Sequence, residues 1–212
     1  NYIEKLKKMR LLFLLILFPA VVLVIKNTTL QEKPTISGSY SQAGKATEAL
    51  EYCKRKGFDT DFCILLDMRI HSGKKRIFIW DFKNDSSFQS GLCSHGCGDF
   101  PWSEDRTKTA PVFSNAPDSH LSSLGKYKIG KRGYSNWGIN VNYKLHGLES
   151  TNNNAYERVI VLHSWRSISN TPIYPSGTPE GWGCPAVSNE MMKILDKKLK
   201  VTSKPVLLWV FS

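Results

Sequence analysis

The chain has 212 residues, 41% of them hydrophobic and 22% charged, enough for one self-sufficient domain and too apolar for a mostly unstructured polymer. Its 15 glycines follow no three-residue period, and no unit of about 20–50 residues recurs, which excludes collagen, solenoids and propellers. Against 18 Asp and Glu, 29 Lys and Arg give a net charge of +11, which favours an anionic partner such as a wall polymer or an acidic membrane face. Lys5, Lys7, Lys8, Arg10 and Lys26 against Glu4 place four of those charges before Asn27. The remaining +7 is spread rather than blocked, which argues against nucleic acid as a partner.

In chain order, the basic cluster is followed by Leu11 to Ile25, apolar throughout and interrupted only by Pro19. A charged segment before an apolar one is the pattern of an export signal. The run is shorter than the about 17–25 residues of a typical span, and no small-x-small cleavage site follows at Lys26-Asn27-Thr28-Thr29. A signal anchor and a cleaved signal peptide both fit residues 1–26, and either puts the rest of the chain outside the cytoplasmic membrane. Residues 27–45, with Pro34, Gly38, Gly44 and several Ser and Thr, read as a linker, leaving 46–212 as the folded domain.

Ala46 to Lys56 carries helix formers and stops at Gly57, a glycine cap. Asp61–Ile70 and Arg76–Phe82 form a predicted hairpin with a five-residue loop, His71 to Lys75. Tyr127–Ile129, Ile139–Leu145 and Arg158–His163 are further predicted strands, the second strictly alternating and so half-buried. Ser188 to Leu199 reads as a helix capped by Ser188, with Glu190 in the first turn, Met191, Ile194 and Leu195 on one face, and lysines at the end. Lys204 to Phe211 closes the chain as a buried strand. The expected class is mainly β with peripheral helices.

Five cysteines occur, Cys53, Cys63, Cys93, Cys97 and Cys184. An odd number in an exported domain leaves at least one free thiol, while Cys93–Cys97 and Cys53–Cys63 pairings stay open. Cys93-Ser94-His95-Gly96-Cys97 has ligand-type residues but not a standard zinc spacing. Cys184 stands apart, in Gly181-Trp182-Gly183-Cys184-Pro185-Ala186, where glycines let backbone amides approach the sulfur. A thiol needs a base or a positive field to react, and His163, at the end of an apolar strand, is the best-placed imidazole.

His163, seventeen intervening residues, and then Gly181-Trp182-Gly183-Cys184 resemble the signature of the murein L,D-transpeptidases. Gly183-Cys184-Pro185-Ala186 is most similar to the branch with a Ser-x-Gly-Cys-Pro-Ala segment. Phe113-Ser114-Asn115, Ser122-Ser123-Leu124-Gly125, His146-Gly147-Leu148 and Asn154-Ala155 through Arg158 also resemble that branch, so the similarity spans Ile77 to Phe211. Gly181 stands where the family has Ser or Thr, and Trp182 where the common motif has His.

The resemblance implies a β-sandwich or barrel catalytic domain that transfers acyl groups between peptidoglycan stem peptides, without cofactor or metal. Cys184 would be the nucleophile, His163 its base and Ser164 the holder of the ring through its carbonyl. The amides of Gly183 and Cys184 would form the oxyanion hole. Trp182, His95 and Ser123 are candidates for substrate binding, Trp182 alternatively packing in the core. Water as acceptor would make the site a carboxypeptidase. Three other readings stay open: a catalytically silent wall-binding module of the same fold, a cysteine peptidase of another fold, and a zinc site gathering His95, His163 and Cys184.

Overall fold

The structure, a computed structural model, describes residues Ser37–Ser212. Helix α1 (Ser37–Lys56) is followed by strands β1 (Phe62–Asp67), β2 (Ile77–Asp81), β3 (Ser86–Gly91), β4 (Gly125–Tyr134), β5 (Val141–Gly147), β6 (Val161–Ser164) and β7 (Ala186–Val187). Helix α2 (Asn189–Leu199) and strand β8 (Leu207–Phe211) complete the chain. The segment Leu11 to Ile25 lies outside the described residues; among those described, no helix is long and apolar enough to cross a membrane.

The eight strands form one sheet in the order β3-β2-β1-β8-β4-β5-β6-β7. β8 runs parallel to β1 and antiparallel to β4 in its centre, and β6 and β7 form the other parallel pair. Past β3, Cys93 bridges to Val187 and Ser94 N–H donates to the Ala186 carbonyl at 2.8 Å. The two ends of the sheet thereby meet, giving a nearly closed barrel with two helices: the mainly β class is the one periodicity predicted, and the barrel is the form the resemblance implied.

Both faces of the central strands are covered, which is why β1 and β8 read as unbroken apolar runs. Ile64, Leu66, Leu208 and Val210 point to one core with Met191, Met192 and Leu195 of α2. Cys63, Leu65, Leu207, Trp209 and Phe211 point to the other, with Ala46, Ala49 and Cys53 of α1. β5 alternates as predicted, with Val141, Tyr143 and Leu145 buried. Ser188 caps α2 by accepting from Met191 N–H at 3.1 Å, and Gly57 ends α1 at φ 71° while Phe58 N–H reaches the Cys53 carbonyl at 3.0 Å.

Four expectations are corrected. Residues 37–45 are helical rather than linker: Gln42, Ala46, Ala49 and Cys53 form a buried stripe at helical spacing, so packing on the sheet extends a helix that propensity alone would start later. The hairpin strands end earlier than expected, and a longer turn joins Asp67 to Ile77. β3, mostly exposed and polar, and the two-residue β7 carry no apolar pattern and were not predicted. Finally, β6 begins at Val161 rather than Arg158, because Val159 adopts a left-handed φ of 56° at the end of a tight turn.

Candidate active site

The site is built where β6 and β7 run side by side. His163 lies opposite Ala186 in the parallel register, and its N–H points to the Pro185 carbonyl at 3.4 Å. The segment before β7 turns sharply at Gly183, whose φ is 93°. A Cβ at that position would approach the Leu121 carbonyl oxygen at 2.5 Å, so both backbone and space require glycine there. The Gly183 carbonyl accepts from Ser122 Oγ at 3.0 Å, and the same oxygen of Ser122 receives Gly96 N–H at 3.1 Å.

The Cys184 sulfur faces the turn before β6, receiving Val161 N–H at 3.5 Å and lying 3.9 Å from the Val159 carbonyl. A branched residue in the left-handed region is costly, and here it aims that carbonyl at the thiol. Arg158 holds the turn: Nη1 donates to the Ser114 carbonyl at 3.0 Å and Ser123 Oγ at 2.7 Å, and Nη2 to the Leu121 carbonyl at 2.6 Å and Ser119 Oγ at 3.2 Å. Among the described residues the amides of Gly183 and Cys184 donate to no acceptor in the protein.

His163 Nδ1 lies 3.0 Å from the Ser164 carbonyl oxygen. A carbonyl only accepts, so Nδ1 carries the hydrogen and Nε2 keeps its lone pair. Ser164 is fixed in turn, its Oγ accepting Ile139 N–H at 3.0 Å, and Gly138 packs so closely that any Cβ would collide with Ser164 Oγ. Burial holds the His163 imidazole below its usual value, partly offset by the Ser164 carbonyl. Burial also pushes the Cys184 thiol up, against the lowering pull of Val161 N–H and Arg158. Both groups are therefore neutral near pH 7, an arrangement suited to general-base activation of a thiol rather than a standing ion pair.

His163 and Cys184 line one cavity of about 130 Å³ with Ser94, Trp102, Trp137, Trp165, Gly181, Trp182 and Ala186. Trp182 is 61% exposed and stacks on His120 with ring centres 5.1 Å apart, so it walls the cavity and does not pack in the core. Gly181 lies in open space, with nothing within 4 Å of a Cβ built on it. Trp102, Trp137 and Trp165 are in mutual ring contact at 5.0–5.9 Å and were not anticipated. Trp165 was legible, two residues after His163 and so on the same face of an extended strand. Trp102 and Trp137 come from distant loops and carried no signal.

Two of the predicted residues lie elsewhere. Ser123 is buried, donating to the Ser114 carbonyl at 2.8 Å and accepting from Arg158. His95 is fully buried, between the equally buried Arg76, whose Nη2 lies 2.7 Å from Nδ1, and Thr107, whose Oγ1 lies 2.7 Å from Nε2. A guanidinium only donates, so His95 carries its hydrogen on Nε2 and passes the chain on to Thr107 and to Glu180 Oε1, 3.4 Å away. Thr107 N–H and Oγ1 donate to that oxygen at 2.6 and 3.0 Å. Burial lowers Arg76 to about 10 and also holds His95 below its usual value. Glu180 lies below the usual carboxylate range; burial opposes this, and the His95 and Thr107 hydrogen bonds outweigh it.

This relay braces the segment leading to Cys184. Gly181 N–H donates to the His95 carbonyl at 2.8 Å and Cys97 N–H to the Gly181 carbonyl at 2.7 Å. With both His95 nitrogens engaged, the proposed zinc set of His95, His163 and Cys184 is not assembled, and no other cluster of three or more His, Cys, Asp or Glu suited to a metal occurs among the described residues. All five cysteines are free thiols.

A search of the curated proteins finds no match. Among solved structures, the chain is similar to an L,D-transpeptidase from Xylanimonas cellulosilytica (10% identity over 76% of this chain and 68% of that one, TM-score 0.37). It is also similar to the helical cell shape determining protein Pgp2 from Campylobacter jejuni (12% identity over 70% of this chain and 46% of that one, TM-score 0.41). The matched part thus spans less than half of the Campylobacter protein. The model of the L,D-transpeptidase catalytic domain matches residues 35–209, starting well before the Ile77 at which the motif resemblance begins. With most of its length covered, the chain belongs to the L,D-transpeptidase catalytic domain family.

Proposed function

We propose that the domain is a cysteine acyltransferase acting on peptidoglycan stem peptides outside the cytoplasmic membrane, carried there by the apolar segment Leu11 to Ile25. The observation that supports it most is that Cys184 and His163 both line one cavity, with the ring held by the Ser164 carbonyl so that Nε2 is free to take a proton.

In this reading His163 Nε2 takes the Cys184 proton as sulfur attacks the carbonyl carbon of the third stem residue. The unengaged amides of Gly183 and Cys184 receive the developing oxyanion. As the tetrahedral intermediate collapses, the bond to the terminal D-alanine breaks and its nitrogen leaves with the proton from His163. The thioester is then attacked by an amine of a neighbouring stem, which gives its proton to His163, and the thiol is regenerated. Water in place of the amine would give carboxypeptidase activity. Trp182, on the cavity wall, would shape the substrate cleft, whereas His95 and Ser123 would act only by bracing loops.

The test is mass spectrometry of tetrapeptide-stem muropeptides incubated with the native chain and with Cys184→Ala. Dimers or loss of D-alanine with the native protein alone support the proposal. Absence of product from both would reduce Cys184 to a structural residue and favour a wall-binding module.

A further inference from the structure

Four of the six tryptophans line the cavity around Cys184 and His163. Trp165 forms its floor, only 7% exposed and stacked on Trp102 at 5.0 Å, whereas Trp102 and Trp137 stand on the rim, 45% and 46% exposed and 5.9 Å apart. An indole is among the largest apolar surfaces a side chain offers, and leaving two half in water beside a nucleophile marks a binding surface.

The lining tells what kind of ligand. Apart from His163 and Cys184 it contains no ionisable residue, so the Trp102–Trp137 side offers no counter-charge, and the charged groups of a stem are left to the Trp182 side, beyond which Asp118, Glu157 and Arg158 line the neighbouring hollow. Ser94 is already engaged, its Oγ donating to the Cys184 carbonyl at 3.4 Å and accepting Ala186 N–H at 3.2 Å. What is left is flat indole faces and indole N–H groups, and among the described residues those of Trp102, Trp137 and Trp165 donate to nothing in the protein. A ligand with a flat C–H face, a carbonyl acceptor and hydroxyls that can stay in water matches this set: an N-acetylated pyranose.

We propose that the Trp102–Trp137 rim is a saccharide subsite that takes an N-acetylhexosamine ring of the glycan bearing the stem. The assignment rests on the stem-peptide reading of the site. If the third stem carbonyl lies at Cys184, three residues at about 3.3–3.6 Å each and the lactyl link put the sugar more than about 10 Å back along an extended chain, which suits a rim rather than the cavity floor.

The test is calorimetric titration of the full chain in detergent, carrying Cys184→Ala to prevent reaction, with an N-acetylglucosamine tetramer that has no peptide. Saturable binding that weakens by about two- to tenfold in Trp102→Ala and in Trp137→Ala is expected, the range of one aromatic contact. Trp137→Tyr, which keeps a smaller flat face, should bind with intermediate affinity, and it carries the comparison if an alanine variant lacks a thermal unfolding transition. In kinetics, the preference in kcat/KM for disaccharide-tetrapeptide over free tetrapeptide should shrink in the same variants. No binding of the tetramer, or equal binding when both indoles are removed, overturns the subsite. Tetramer binding without release of D-alanine from any stem would keep the subsite and overturn the acyl-transfer reading; release without tetramer binding would do the reverse.

Discussion

At the scale of single residues, the site depends on glycines that bring backbones together. Gly138→Ala drives a methyl into Ser164 Oγ and the Ser164 backbone at a left-handed φ of 58°, displacing the carbonyl that orients His163; kcat should fall at least tenfold and the thermal midpoint should fall with it, as steady-state kinetics beside a melting curve would show. Gly183→Ala combines a left-handed backbone, worth about 1–2 kcal/mol, with the approach to Leu121, and should lower both stability and activity in denaturant titration and assay. The pH profile separates two ways of activating the thiol. Because burial holds His163 below the ordinary 6.5 and raises Cys184 above the ordinary 9.0, both are neutral at pH 7 and His163 must lose any proton to act as base. The acid limb of kcat/KM should therefore have its midpoint below 6.5; a midpoint above it would point to a different titrating group.

At the scale of elements, the buried Arg76–His95–Thr107–Glu180 relay ties β2 and the Cys93–Cys97 segment to the loop entering Cys184. Removing one partner of a buried charged pair strands the other, typically at about 3–5 kcal/mol, so Glu180→Ala should lower the denaturant midpoint accordingly, and a change under 1 kcal/mol would show that the relay does not brace the fold. Much at this scale was legible in the sequence. The apolar runs of β1 and β8, the alternation of β5 and the Ser188 cap each obey a local rule that burial reinforces. The start of α1 was not, because Gln42 and Ala46 are fixed by the sheet they meet rather than by propensity. β7 was not either, since two residues carry no period, although its pairing with β6 sets Ala186 opposite His163 and so brings the Cys184 segment to that strand.

At the scale of the whole molecule, Cys184 and His163 were legible as candidates because each sits in a short local pattern, His163 closing a strand and Cys184 following Gly183, and the fold places both on one cavity. The cavity around them was not: Trp102, Trp137, Trp165 and Trp182 lie on four separate segments, and only the nearly closed sheet gathers them. His95 misled for the same reason, a ligand-type residue in a suggestive motif that the fold buries. Global stability should report these burials. His95 and His163 both lie below the ordinary 6.5 in the folded state, chiefly through burial, so below that value the unfolded chain binds more protons. Their contribution is complete above about pH 6.5 and lost as pH falls through their native values, and a denaturant midpoint unchanged between pH 7 and pH 5 would contradict this. The central claim, that Cys184 carries the acyl group, is tested most directly by acid-quenching the full chain during turnover of a tetrapeptide-stem muropeptide and mapping the adduct by mass spectrometry. The account predicts the stem, less its terminal D-alanine, as a thioester on the peptide containing Cys184. Product formation with no adduct on Cys184, or with the adduct on another residue, would contradict it.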